Sequence, residues 1–197
     1  MVYFFVGFLI SFTSLIEIFS KNKNFRNIFF IISLIALLII VSFRDGSSVG
    51  IDSPTYFNAY KFQLSGFEIG YNFLNNLFSK AAINYNIFIF FINCLAIFNI
   101  AKFIRRNSHY YILPIFIYFS DFFLYYNMSG VRQAIALSFT ALSISYIFNK
   151  KKKLALFYIV LASLFHVSSL IFLLVLFIPT KKLSAKNYIK LIIGFGV

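Results

Sequence analysis

The stretch FRDGSSVGIDSPTYFNAYKFQLSGFEIG, Phe43 to Gly70, decides how the rest of the chain is read. It holds three of the five acidic residues, Asp45, Asp52 and Glu68, in a chain that is otherwise oily. On either side of it, apolar runs alternate with short basic connections, and most of those runs are long enough to cross a bilayer. Hydrophobic residues make up 61% of the 197, charged residues only 12%, and there are 30 phenylalanines. A soluble core of this size could not bury so much apolar surface, so lipid must solvate much of it. The expected fold is an all-α polytopic integral membrane protein. A single transmembrane domain over 1–197 would carry about six transmembrane helices and the start of a seventh.

The net charge of +13 does not mark a nucleic-acid partner. Fourteen of the 18 Lys and Arg fall in four short clusters at the ends of apolar runs, where the positive-inside rule places cytoplasmic connections. A nucleic-acid face would instead line one continuous surface. Cys94 stands alone inside an apolar run, which leaves no disulfide framework and no thiolate metal site. No metal-ligand cluster, phosphate loop or nucleophile elbow occurs, so neither metal nor cofactor is expected.

Working outward from the polar stretch, Val2–Phe19 has no basic residue ahead of it and no cleavage pattern behind it. It reads as a first transmembrane helix rather than a signal peptide. Lys21, Lys23 and Arg26 should then be cytoplasmic, with the N-terminus outside. Residues 27–43 return the chain to the outer face at Arg44. Further spans are expected at 87–104, 110–126, 131–148 and 154–178. The loop 44–86 is sparse in Lys and Arg, as an extracytoplasmic loop should be. Gly46-Ser47-Ser48 and Gly50 are turn formers. Asp52-Ser53-Pro54 reads as a helix start, with Tyr56 and Tyr60 on one face. Ile69, Phe73, Leu74, Leu77 and Phe78 recur at helical spacing opposite Asn72, Asn75, Asn76 and Ser79. That pattern predicts an amphipathic helix lying in the outer interface.

Residues 154–178 are expected to form one tilted span, although this puts Lys181, Lys182, Lys186 and Lys190 outside. The alternative is a re-entrant pair of half-helices meeting at His166-Val167-Ser168-Ser169, where no Gly or Pro marks a break. Ile192 to Val197 read as the start of another apolar run, so a C-terminally incomplete protein is expected.

Ionisable groups close to hydrocarbon are costly and are functional candidates for that reason. Arg44 and Arg132 both sit on the outer side, where guanidinium suits bidentate binding of phosphate oxygens. Their simpler reading is as snorkelling anchors or as partners of Asp45 and Asp121. His166 is either a buried neutral ring satisfied by a neighbouring hydroxyl or a proton acceptor in a cavity between helices. Glu17 is expected to snorkel toward the basic cytoplasmic cluster, and Asp121 to pair with Arg132. Ala134 and Ser138, like Ala141 and Ser145, are small residues four apart and suit close helix packing.

At these residues a family comes into view. Phe43-Arg44 with Val49-Gly50-Ile51-Asp52-Ser53 and Tyr56 resembles the "R…VGxD…Y" motif of the EpsG family of Wzy-type polysaccharide polymerases. Glu68-Ile69-Gly70-Tyr71 resembles its "E-x-G-Y/F" continuation, and Ser129 to Ala136, with Arg132-Gln133 inside, its "x-R-Q-x-x-A" helix start. Ala162 to Ser169 resembles its "A-x-x-x-H-x-S" segment. The motifs stand in family order from Arg44 to Ser169. The resemblance implies a bacterial cytoplasmic-membrane enzyme of exopolysaccharide, capsule or O-antigen synthesis. Such an enzyme polymerises undecaprenyl-diphosphate-linked oligosaccharide repeat units on the outer face, alongside a flippase and a chain-length regulator. On that reading Arg44 and Arg132 hold the diphosphate, and Asp52 or His166 accepts the proton of the attacking sugar hydroxyl. Tyr56 and Tyr60 stack on sugar rings, and Glu68 and Gln133 complete the substrate contacts. A transporter or flippase of the same lipid-linked oligosaccharide is the alternative.

Overall fold

The computed structural model describes residues 1–20, 22–45 and 49–177, whose regular structure is entirely helical. Lys21, the Gly46-Ser47-Ser48 turn and residues 178–197, with the four C-terminal lysines and the expected seventh apolar run, lie outside the described residues. Helix α1 spans Val2–Phe19 and α2 Lys23–Ser42, and Asn22 caps α2. The Asn22 carboxamide oxygen accepts from the backbone N–H groups of Asn24 and Phe25 at 2.9 and 3.2 Å, satisfying two donors that a helix start leaves open. The short helices α3, Ser53–Lys61, and α4, Ile69–Lys80, follow. Helix α5, Tyr85–Asn107, then runs 23 residues, about 34 Å at 1.5 Å per residue.

Helix α6, Ile112–Tyr118, continues into a π-helical segment, Phe119–Asn127. Helix α7 is Val131–Phe148, α8 is Lys152–Ser163, and a 3-10 segment, Val167–Phe177, closes the described chain. Four of these helices, α1, α2, α5 and α7, are long and apolar enough to cross a membrane. The protein is thus a polytopic membrane protein. Helix α5 is the central post, packed on α2 and α7; α7 in turn packs on α8, and α1 on α6. Phe4, Phe5, Phe8 and Phe12 of α1 stay exposed, an apolar surface suited to lipid contact.

Inside the bundle, polar side chains satisfy one another. The Tyr118 hydroxyl donates to Asn127 at 2.6 Å, Asn127 donates to Asn93 at 2.8 Å, and Asn93 donates to the Ile89 carbonyl at 2.9 Å. All three side chains are buried, where each unmade bond would be costly. Asn99 of α5 donates to Ser138 of α7 at 3.2 Å, so the small-residue face of α7 does bring α5 close.

Helices α3 and α4 form a cap over one end of the bundle. Tyr56, Phe67, Tyr71 and Phe88 make a chain of ring contacts with centroids 5.2 to 5.9 Å apart, and Asn75 donates to the Ala59 carbonyl at 3.3 Å. Asn75 was expected on the polar outer face of α4. It is fully buried, while Ile69, Phe73 and Leu77 are exposed. The helix turns Tyr71 and Asn75 inward and leaves the apolar stripe Ile69, Phe73 and Leu77 exposed.

Three other expectations are corrected. Residues 154–178 are not one straight span: the helix stops at Ser163, the chain turns through Leu164–His166, and Val167–Phe177 doubles back. Lys152, at the start of α8, donates to the Leu176 carbonyl at 2.9 Å, so the two arms end at the same level. No Gly or Pro was needed because the break is satisfied from outside. The Leu164 carbonyl, freed from the helix, accepts the Gly70 N–H at 2.8 Å. Glu17, expected to snorkel toward the basic cluster, is instead buried against a helix start. It is 2% exposed and accepts the backbone N–H groups of Tyr111, Ile112 and Leu113 at 2.7 to 3.0 Å, placing its carboxylate at the positive end of α6. Asp121 is exposed on the π segment, and Arg132 pairs elsewhere.

Candidate functional site

Two seams join the cap to the bundle, and each is built around a glycine. In the first, Gly50 has φ +107°, and a Cβ there would lie 2.2 Å from the Met128 carbonyl oxygen. Only glycine fits such a backbone pressed against another backbone. The turn it permits lets the Asp52 N–H donate to the Ser129 hydroxyl at 3.1 Å and the Ser53 hydroxyl donate to the Val49 carbonyl at 2.6 Å. Pro54 then opens α3. Arg44 belongs to this seam: its Nη1 donates to the same Val49 carbonyl at 3.2 Å, and the residue is 6% exposed. Burial pulls its guanidinium below the ordinary value, against a smaller upward pull from the Tyr85 and Tyr3 hydroxyls.

In the second seam, Gly70 lies so close to α8 that a Cβ would meet the Leu164 carbonyl oxygen at 2.8 Å. That approach carries Glu68, the residue just before α4, to the turn holding His166. Glu68 is the centre of the site. One carboxylate oxygen pairs with Nη1 of Arg132 and the other lies 3.2 Å from Nδ1 of His166. Arg132 also donates from Nε to the Tyr56 hydroxyl at 3.0 Å, and its guanidinium lies 4.4 Å from the Phe67 ring centroid. Burial pushes the Glu68 carboxyl up, but its own backbone N–H, Arg132 and His166 outweigh this and hold it below the usual range. Burial raises the Tyr56 hydroxyl, with Arg132 pulling it down and the Asp52 and Glu68 charges pushing it up.

The arrangement fixes the imidazole. An ionised carboxylate can only accept, so Nδ1 of His166 is the donor in this contact, and in the neutral ring Nε2 is then the acceptor nitrogen. His166 lines a groove of about 280 Å³ with Tyr126, Gln133, Thr140, Ser168 and Ser169. The groove lies between α7 and the returning arm, and Ala136, Leu137, Ile171 and Phe172 give it apolar walls beside these polar groups.

The candidates named from the sequence thus divide. Arg132, Glu68, His166 and Tyr56 form one connected cluster, and Gln133 shares the groove with His166. Asp52 is exposed at the start of α3, its backbone engaged with Ser129. The contacts described for Arg44 lie with Val49 and the tyrosines of its own seam. Tyr60 is buried, its hydroxyl donating to the Ile83 carbonyl at 2.7 Å, beside a separate cleft lined by Asp45, Lys61, Asn84 and Asn86. Phe67 is the site residue that the sequence reading missed; the aromatic position directly before Glu68 was its only signal. Among the described residues, no group of three His, Cys, Asp or Glu could hold a metal ion.

The model of the EpsG family matches residues 27–197. No curated protein and no solved structure matches the chain.

Proposed function

We propose, from the premise that the chain belongs to the EpsG family and so to polysaccharide biosynthesis, that it polymerises undecaprenyl-diphosphate-linked oligosaccharide units. The reaction is glycosyl transfer at the cap end of the membrane domain. With that end facing out of the cytoplasmic membrane, the basic residues Arg26, Arg105 and Arg106 face in, and the N-terminus lies outside. The observation that carries this reading is the Arg132–Glu68–His166 cluster at the N-terminal, cap end of α7, with His166 lining a groove beside it.

Each part has a task in such a transfer. The leaving diphosphate develops charge as its bond to the sugar breaks, and a preorganised cation stabilises it. Arg132 is that cation: partly exposed, and with three guanidinium N–H groups beyond those used by Tyr56 and Glu68. The attacking sugar hydroxyl must lose a proton, and His166, which lines the groove, is the residue we assign to take it, through Nε2. Asp52, open to solvent, is the weaker candidate for that role. Arg44 supports the site indirectly, by holding the turn that seats α3.

The test is glycan length in cells carrying Arg132→Ala, after membrane abundance has been checked. Single lipid-linked units should accumulate on the outer face and long polymer should vanish. Units trapped on the cytoplasmic face would overturn the polymerase reading in favour of a flippase, and unchanged polymer would remove Arg132 from the site.

A further inference from the structure

We infer that Glu68 is a positioning residue shared between two partners, and that a diphosphate arriving at Arg132 hands its carboxylate over to His166. The inference rests on the polymerase reading above and adds the coupling between its two halves. Its starting point is an asymmetry in how the two Glu68 contacts are held. The contact to His166 is braced by backbone: two residues along the chain, Gly70 N–H donates to the Leu164 carbonyl, two residues before His166. Among the described residues, no backbone–backbone bond of that kind braces the contact to Arg132. The two contacts are alike in being partly exposed, with Arg132 21%, His166 28% and Glu68 15% exposed, so the backbone brace is what distinguishes them. An incoming anion can therefore compete for the guanidinium, while the imidazole stays where it is.

The electrostatics follow. In the resting site one carboxylate answers the charge of Arg132 and also anchors Nδ1 of His166. A diphosphate brings more negative charge than a carboxylate and takes over the guanidinium. Glu68 is then left facing the imidazole alone, where it stabilises the positive charge that forms when Nε2 takes a proton. Besides its contact with Glu68, His166 shares its groove with the polar groups of Gln133 and Thr140 from α7, Tyr126 from the π segment, and Ser168 and Ser169 from the returning arm, and Arg132 meets the same carboxylate. Among these, Arg132 is the one cation whose removal from Glu68 changes the field at His166.

In the transfer step the acceptor hydroxyl oxygen bonds to the anomeric carbon, and the bond from that carbon to the diphosphate oxygen breaks. Its electron pair leaves with the diphosphate, and the hydroxyl proton passes to Nε2. The handover makes the proton acceptor competent only when the leaving group is seated.

The experiment measures binding of inorganic pyrophosphate to the purified full chain and its Glu68→Gln and Arg132→Gln variants. Steady-state turnover of lipid-linked units is measured on the same samples. Removing the internal counter-ion should tighten pyrophosphate binding about fivefold, the scale of one partly exposed ion pair. It should lower KM and reduce kcat by at least roughly tenfold. Arg132→Gln should lose pyrophosphate. A merely structural Glu68 would instead show weaker or unchanged binding with raised KM, and that result overturns the handover while leaving the diphosphate site standing. Pyrophosphate that binds Arg132→Gln as well as the native protein, or binds no variant, overturns the diphosphate reading and the handover with it. Should Glu68→Gln fail to accumulate, Glu68→Asp serves. Its shorter side chain cannot span both partners, so binding should again tighten and kcat fall, and weaker or unchanged binding overturns the handover.

Discussion

The two seams under the cap use the same ingredients to opposite ends. Each has a glycine against a carbonyl and an arginine, and a tyrosine of α3 stands with each arginine or near it. Tyr56 bonds Arg132, and Tyr60 packs on Tyr85, whose hydroxyl acts on Arg44. In the Gly50 seam, Arg44 is 6% exposed, desolvated and bonded to a main-chain carbonyl, while Tyr60 donates to another carbonyl. In the Gly70 seam, Arg132 stays partly open to solvent and is answered by an ionisable carboxylate, and Tyr56 accepts from it. An arginine spent on backbone is a strut, because nothing that arrives from outside can take the place of its partner. An arginine paired with a carboxylate, as Arg132 is, suits the anionic ligand we propose for it. Tyr56 and Tyr60, one turn apart on α3, mark the boundary between the two regimes.

Glycine substitutions should separate the seams most sharply. In Gly50→Ala the new methyl would lie 2.2 Å from a backbone oxygen at a φ of +107°, and neither the clash nor the conformation can relax. The expected outcome is loss of the protein from the membrane fraction. Gly70→Ala meets the Leu164 carbonyl at 2.8 Å in ordinary backbone geometry, so α4 can shift outward by a fraction of an ångström. Membrane abundance should survive, while polymer falls roughly tenfold to a hundredfold as Glu68 moves off His166. Immunoblot and glycan electrophoresis on the same cells decide. Equal loss of protein in both variants would erase the distinction.

The arginines come next. Methionine keeps the stem of either side chain and removes the charge. Arg132→Met should abolish long polymer with protein still present. Arg44→Met should retain polymer within about threefold, because the Val49 carbonyl keeps the Ser53 hydroxyl as a donor and the desolvated charge disappears with its cost. If Arg44→Met abolishes polymer at normal abundance, Arg44 belongs to the diphosphate site and the contrast fails.

Much of this was legible in the sequence, and the parts that were not share a cause. Apolar run length marked an all-helical membrane protein, and the motifs contain Tyr56, Glu68, Arg132 and His166, which the structure brings into one cluster. What local pattern could not show was which residue answers which. Asp121 lies eleven positions before Arg132 and was the natural partner by proximity, whereas Glu68 lies 64 positions away and arrives only because α4 docks on α8. The break before His166 was illegible for the same reason. The N–H that satisfies it belongs to Gly70, in another element, and no Gly or Pro nearby betrays it. Glu17 looked like a surface anchor because its role, accepting three N–H groups of α6, is defined by a helix start 94 residues on. Burial of Asn75 likewise depends on the Ala59 carbonyl above it. Periodicity reports that a helix has two faces; tertiary packing decides which one turns inward.

The tyrosines give the smallest and most discriminating effect, since Phe differs from Tyr by one hydroxyl. In Tyr60→Phe the bond to the Ile83 carbonyl is lost, a neutral hydrogen bond worth about 1 kcal/mol. Stability in a detergent melt should fall slightly, with polymer length unchanged. In Tyr56→Phe the lost bond is charge-assisted and orients Arg132, and such bonds are worth about 1.5–3 kcal/mol. Polymer should fall about tenfold or more at unchanged abundance, because the guanidinium gains freedom to turn away from the leaving group. The pair thus asks whether one helical turn of α3 separates scaffold from site. Shortened polymer in Tyr60→Phe would place a substrate hydrogen bond on the Tyr60 hydroxyl and extend the site across that turn, toward the cleft lined by Lys61 and Asn84.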